Sequence, residues 1–437
     1  MRWRITRCLF ELEKLWCKVM TLFGKEFREK YYSFEEGVVP VNNGSFGAIP
    51  KYVRDALIKN IDQDYKFPDR YLKDEGRNLV RNAAVQVAKV VDADPNNLVF
   101  VTNATTAVNT ILRSYPFKKN DKILIQSTTY GACNNTVKFL AKKIGIEIVI
   151  IQLNYPLTDD EVISKFKSIF EKNEITLALF DAVSSMPGVR LPFEKIIQLC
   201  HEYNVLSLVD GAHSIGLIPY SLNTLKPDFY CSNLHKWFSC PRGCAFLYVD
   251  KKHHKKIHTL PVSHSYLDDD YDLPTPELEE KRLIDRFAYI GTMSLAPYVT
   301  AIDAIFFRNE ICGGEDVIRN HNHNLALKVA KLVSTKWGTS YLENKDNTLI
   351  TSMVSIEVPL TPQFIDIIKS QDDYNKKLKS TVEDITISKY KTRVPLDYHN
   401  GKLYARFSSE VYNCIEDYEY ASDALLKAID QVLASLM

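Results

Sequence analysis

The chain has 437 residues, enough to bury a sizeable core as one large unit with a smaller one, or as two or three modest units. Apolar residues make up 46% and charged residues 25%, with a formal net charge of +1, so no whole-molecule field draws the chain to nucleic acid or to an anionic membrane. Nine cysteines at irregular spacings make a poor disulfide framework and fit a reducing compartment.

The opening stretch, MRWRITRCLFELEKLWCKVMTLFG, is basic and apolar, but Glu11 and Glu13 interrupt the run that a signal peptide or a bilayer span needs. It predicts an amphipathic helical extension over residues 1–23, packed on the body. Arg2, Arg4 and Arg7 leave a mitochondrial presequence open, the two acids count against it, and a soluble cytoplasmic protein is the expectation.

From about residue 98, short β-rich runs alternate with longer helix-like stretches. The runs are LVFV (98–101), KILIQ (122–126), IEIVIIQL (146–153), TLALF (176–180), VLSLV (205–209), DFYCS (228–232) and AFLYV (245–249). Apolar on both faces and joined by stretches such as VKFLAKKI and FEKIIQLCHEY, they predict a mostly parallel, doubly wound α/β sheet covered on both sides. Cys240 and Cys244 lack a second cysteine pair and read as free thiols rather than zinc ligands. KKHHKKIH, Lys251 to His258, reads as a solvated charged turn, without the interleaved aromatics of a nucleic-acid patch. Past residue 310 a long helix-like stretch, ALKVAKLVSTKW, and the runs SMVSIEV and KLYARFS predict a smaller α+β domain. The expected division is 24–310 for the large domain with an N-terminal arm and 311–437 for the small one.

In such sheets ligands sit beyond the carboxyl ends of the strands. There this chain carries TNATT, STTYGA, DAVSS, DGAHS and NLHK. Any one of these is ordinary cap or turn chemistry, whereas five on one edge predict a site. A lysine such as Lys236 becomes a useful nucleophile when its pKa is lowered or its amine is joined to a carbonyl. Pyridoxal 5'-phosphate supplies that carbonyl and asks for an acid at its ring nitrogen, a phosphate cradle and a flat surface to stack on. Asn103-Ala104-Thr105-Thr106, between a strand and a helix start, offers free N–H groups and hydroxyls for a phosphate. Tyr130 could stack on the ring, Asp210 could hold its nitrogen and His213 could donate to its hydroxyl; Ser232, Asn233 and His235 could complete the phosphate shell.

TNATTAVN, STTYGACN, VDGAHSIG, SNLHKW with PRGCAFLYV, and RFAYIGTMS together resemble the class V aminotransferase group of pyridoxal-phosphate enzymes. VNNGSFGAIP and LYARFSSEVYN are similar to segments of its isopenicillin N epimerase-like branch, and the likeness runs in order from about residue 24 to the end of the chain. The resemblance implies a fold type I transferase architecture with Lys236 joined to the cofactor carbonyl, Asp210 at the ring nitrogen and His213 at the ring oxygen. It implies Thr105, Thr106 and His235 around the phosphate, Tyr130 in the stacking place, and Ser185 where desulfurases carry an asparagine near the cofactor; Ala104 and Asn233 are further cofactor-binding candidates, Asn233 departing from the Ser-Gly-His-Lys of related desulfurases. Gly291 and Thr292 match a segment that reaches a phosphate across a dimer interface, implying a homodimer; Asn43 and Arg406 fall at the substrate, Arg406 on its α-carboxylate.

One cofactor serves several outcomes. Persulfide-forming desulfuration needs a mobile thiol shortly before the carboxylate arginine, and no cysteine lies between Cys312 and Cys414. The family resemblance points to C–S cleavage of a cysteine conjugate or its sulfoxide, as in the lyase step of fungal ergothioneine synthesis, by Cα deprotonation and β-elimination. Epimerisation or racemisation, with Tyr130 as a second proton donor beside Lys236, and transamination stay open. A non-catalytic fold relative would have no need of Asp210, Lys236 and Arg406 together. The expected partner is a small amino-acid substrate, with no metal, nucleic acid or membrane.

Overall fold

Alternation within the short runs sorts their side chains into two cores. The computed structural model describes residues 23–360 and 372–434, so the helix expected over residues 1–23 lies outside the described residues apart from Phe23. The seven runs form strands β1 (Leu98–Val101), β2 (Lys122–Gln126), β3 (Glu147–Ile151), β4 (Leu177–Asp181), β5 (Leu206–Asp210), β6 (Phe229–Asn233) and β7 (Ala245–Val249). They make one sheet in the order β1-β7-β6-β5-β4-β2-β3. The expected mostly parallel sheet is what forms, with β7 alone running against both its neighbours. Leu98, Phe100, Ala178 and Phe180 enter one core, while Val99, Val101, Leu177 and Leu179 enter the other. A strand side chain alternates faces, so runs with no polar break bury both.

The covering helices follow from their own spacing. In Asp159–Lys172, Val162, Phe166 and Phe170 recur every fourth residue and are the buried ones. Thr158 and Glu161 start that helix with a reciprocal capping box, and three acids fill its first turn. Burying one such phenylalanine contributes about 1.5–3 kcal/mol, and truncating Phe166 to alanine costs about 3–5 kcal/mol through the cavity left behind. Helices Ala104–Ser114 and Gly131–Ile144 cover the opposite face.

A second sheet, in the order β8-β10-β9, comprises β8 (Met353–Glu357), β9 (Leu396–His399) and β10 (Lys402–Ser408), all antiparallel. Leu403, Ala405 and Phe407 face a third core with the helices Glu315–Trp337 and Ile415–Ala434. Tyr404, Arg406 and Ser408 therefore face the other way, toward the large sheet. The arm near the chain start joins this unit: Val41 lies in its core, Val39 bridges Thr392, and the Ser408 N–H donates to the Val41 carbonyl (2.9 Å).

The stretch KKHHKKIH differs from the solvated turn its charges predict. Lys251–Lys256 is a short 3-10 helix in which His253 and His254 are buried. Asp228, buried just ahead of β6, pairs with His253 Nε2 at 2.8 Å and with Lys252 at 2.7 Å, and accepts from the Ser207 N–H and hydroxyl. A buried carboxylate has to be paired, and that requirement pulls His253 inward, while His254 bonds the Val249 carbonyl at 3.1 Å.

Candidate active site

The reversed strand decides where Lys236 stands. Every strand of the large sheet but β7 ends on the same edge, and an antiparallel β7 needs only a short return from β6. That return stays at the carboxyl edge and carries the helix Leu234–Trp237, hence Lys236. Its backbone is fixed from outside: Asn43 Nδ2 donates to the Lys236 carbonyl (3.1 Å) and Arg308 to the Trp237 carbonyl (2.7 Å). Gly47, with φ at 67°, passes so close that a Cβ there would lie 1.7 Å from the His235 carbonyl oxygen.

Lys236 opens into a cavity of about 210 Å³ whose walls include Thr105, Tyr130, Asp181, Ser185, Asp210, His213, Asn233 and His235. Its Nζ lies 3.1 Å from His213 Nε2, and the other ring nitrogen of His213, Nδ1, accepts from the Trp237 indole N–H at 3.1 Å. An indole only donates, so His213 Nδ1 is bare and the ring proton sits on Nε2. Burial first, and then Lys236 and Arg406, hold His213 well below the usual imidazole range, so the ring is neutral. The Lys236 amine therefore meets a donor and has to accept with its lone pair. Burial pushes its pKa down to about 8 against the pull of Asp210, which brings this free-base form closer to neutral pH.

Asp210 ends β5, where its carboxylate accepts from the Ala212 N–H (3.0 Å) and the Cys133 thiol (3.3 Å). Opposite it in the parallel register stands Asp181, the last residue of β4, which accepts from Gln126 Nε2 at 2.5 Å. Burial and the Asp210 charge raise the Asp181 carboxyl well above the carboxylate range. The sequence reading passed over Asp181 and Cys133; DAVSS in the same register as DGAHS was the signal for the first of them.

At the start of Ala104–Ser114 two of the three amides are already used. The Ala104 N–H donates to Asn233 Oδ1 (2.9 Å) and the Thr106 N–H to Asn103 Oδ1 (2.8 Å). The Thr106 hydroxyl bonds Asn103 and Thr102 outside the cavity wall, leaving the Thr105 amide and hydroxyl for an anion. Ser232 is wholly buried, bonded to the Gly211 carbonyl and the Ile215 N–H, and does not line the cavity. Half-buried His235 gives its Nδ1 proton to the Cys244 carbonyl (3.1 Å), and burial holds its pKa down at about 4. An anion beside Nε2 would raise it.

Arg406 lies behind Ser185, only 2% exposed. Its guanidinium donates to the Ser185 carbonyl (2.5 Å), Asn42 Oδ1 (2.9 Å) and Ser45 Oγ (2.9 Å), while Nε has no partner. None of these partners is a carboxylate, and burial lowers its pKa to about 10. A buried cation bonded only to neutral groups awaits an anion. Asn42 and Ser45 were missed from sequence, and Asn43 does something other than touch substrate: it is tied up by the Lys236 carbonyl, Glu410 and Tyr412. Gly291 and Thr292 are exposed and outside the cavity wall. Among the described residues no cysteine lines the cavity and no group of side chains could hold a metal ion.

These groups fit pyridoxal 5'-phosphate: a lysine amine of lowered pKa, an anchored carboxylate, a neutral imidazole N–H and a free helix amide with its hydroxyl surround one space. An aminotransferase class-V model matches residues 48–361. The chain is 30% identical to a hercynylcysteine sulfoxide lyase of Schizosaccharomyces pombe, over 92% of this chain and 97% of that protein. It is 28% identical to an L-cysteine desulfhydrase of Arabidopsis thaliana, over 90% and 88%. The apo cysteine desulfurase of Thermococcus onnurineus NA1 superposes with a TM-score of 0.68 at 20% identity, covering 93% of this chain and 98% of that one. The chain belongs to the class V aminotransferase family and is an enzyme whose cofactor is pyridoxal 5'-phosphate.

Proposed function

We propose that the protein is a C–S lyase that cleaves a cysteine conjugate or its sulfoxide by removing the Cα proton and expelling the sulfur group from Cβ. The observation that carries this reading is a cavity-lining lysine of lowered pKa with, behind the Ser185 wall, a buried guanidinium that has no carboxylate partner among the described residues. Arg406 would take the α-carboxylate, a planar fork to a planar anion. Lys236, released from the cofactor by the substrate amine, is the base for the Cα proton. Asp210 would hold the ring nitrogen, His213 would donate Nε2–H to the ring oxygen, Tyr130 would lie against the ring, and Thr105, Asn233 and His235 would hold the phosphate. When bound, the cofactor supplies an electron sink for charge left at Cα.

Elimination needs no enzyme thiol, in agreement with a cavity wall free of cysteine and with Cys414, whose thiol burial raises to about 11. The products are a thiol, or a sulfenic acid from a sulfoxide, and 2-aminoacrylate, which water converts to pyruvate and ammonia. Likeness to a sulfoxide lyase and to a cysteine desulfhydrase supports the same bond cleavage. Because Gly291 and Thr292 lie outside this cavity, we take the working form to be a homodimer in which they serve a second copy. The test is to incubate holoenzyme with S-substituted cysteines and their sulfoxides and to quantify pyruvate, ammonia and released thiol. Inversion at Cα with deuterium uptake and no pyruvate would replace the reading with epimerisation.

A further inference from the structure

A second cavity, of about 420 Å³, adjoins the first and shares Tyr130 and Ser185 with it. Its walls come from both sheets: Thr128, Gln152 and Asn154 follow β2 and β3, while Asp397, Tyr398 and His399 belong to β9. The β9–β10 register sets Asp397 opposite Tyr404 and His399 opposite Lys402. Directly opposed residues share a face, and Tyr404 shares a face with Arg406, so Asp397 and His399 stand on the same side of the small sheet as the guanidinium.

The two cavities meet at Ser185 and Tyr130, so a substrate held at its carboxylate by Arg406 and at its amine near Lys236 has the second cavity beside it. Among the described residues no lysine or arginine lines this cavity and the one acid is Asp397, which pairs with Lys379 at 2.7 Å. His399 Nε2 accepts the Tyr155 N–H (2.8 Å), so its proton is on Nδ1, and burial keeps the ring below the ordinary imidazole range. The remaining polar lining is hydroxyl and amide, beside Tyr130, while the Tyr398 ring packs against the small-sheet core.

We propose that this cavity is the subsite for the group attached to the substrate sulfur, and that it selects polar substituents that are neutral or cationic over anionic ones. The proposal deepens the lyase reading and rests on it. An anionic substituent would enter a space with a carboxylate and no cation to meet it, whereas hydroxyl, amide or ammonium groups find acceptors on every wall.

Three probes of similar length decide the matter: S-(2-aminoethyl)-, S-(2-hydroxyethyl)- and S-(2-carboxyethyl)-L-cysteine. Apparent affinity for the holoenzyme is read from the rapid change in cofactor absorbance, and pyruvate release is followed separately. The aminoethyl and hydroxyethyl compounds are expected to bind at least about tenfold more tightly than the carboxyethyl compound. Asp397→Asn should lower the aminoethyl-to-carboxyethyl preference about three- to tenfold, and Lys379→Met, which frees Asp397 from its partner, should raise it. These are ratios within one protein, so a general loss of folding cancels. Equal affinities in the wild type, or both variants shifting the ratio the same way, would overturn the subsite. Absence of pyruvate from all three probes overturns the lyase reading alone, because the affinity ratio still judges the subsite.

Discussion

The seven-stranded sheet supplies its groups from strand ends, and the three-stranded sheet supplies its groups from strand faces. Asp181, Asp210 and Asn233 are the last residues of β4, β5 and β6, and Lys236 and Thr105 follow within a turn. Arg406 and Asp397 lie inside β10 and β9, where the pleat aims them, and His399 closes β9 on the same face. Strand ends have free amides and room for a ligand to enter edgewise, which suits a flat phosphorylated ring. A strand face offers a row of side chains two residues apart, which suits an extended substrate. In the proposed division the large sheet holds the cofactor and the small sheet grades what reacts with it.

Breaking the large-sheet side should have the larger effect. Lys236→Ala is expected to lower pyruvate release by about 10³-fold or more while far-UV circular dichroism is retained. On the small-sheet side, Arg406→Ala should lower kcat/KM by about 10²–10³-fold, and Arg406→Lys should recover little because it cannot bond the carboxylate with a fork. Retained kcat/KM in Arg406→Ala would dissolve the comparison, since the small sheet would then contribute nothing to catalysis.

Two finer tests use the protein without cofactor. The folded Lys236 pKa, about 8, lies below the 10.5 of an ordinary lysine. The unfolded chain thus binds more protons between these values, and stability rises with pH across that window. The burden is fully present below about pH 8 and gone above about 10.5. Lys236→Met should therefore stabilise the apo protein at pH 7, by at most on the order of 3 kcal/mol, with the gap closing toward pH 10.5 in denaturant titrations. A pH-independent gap would show that the cavity stays wet. The smallest effect separates the adjacent threonines: Thr105→Ala should weaken cofactor retention on dialysis about tenfold, whereas Thr106→Ala should cost about 1 kcal/mol of stability through its capping contacts.

Much of the large sheet could be read directly from sequence, because unbroken apolar runs separated by helix-length stretches state their burial locally. Lys236 and Asp210 were legible for the same reason, as polar residues stationed just past such runs. Asp181 was not, since its meaning lies in standing beside Asp210, and that needs the order of β4 and β5 as well as their ends. Thr106 resembles a phosphate ligand until the Asn103 and Thr102 contacts are seen to occupy it. The roles of Asn42 and Ser45 depend on an arginine 364 and 361 positions away, and that separation hides them from any local pattern. His253 and His254 were read by their lysine neighbours, whereas His253 is held inside by Asp228 and His254 by the Val249 carbonyl.

The arm from Asn42 to Gly47 has a consequence for when the site comes into being. It touches Arg406 through Asn42 and Ser45, the Lys236 backbone through Asn43, and His235 through the bare Gly47. A ribosome makes this arm long before it makes the residues it must grip, so a nascent chain can hold a folded large sheet and still possess no place for a substrate carboxylate. Reactivity toward amino acids would then switch on only with the closing of a loop that spans 364 positions, and enzymatic turnover would report that the early arm and the late strand have met.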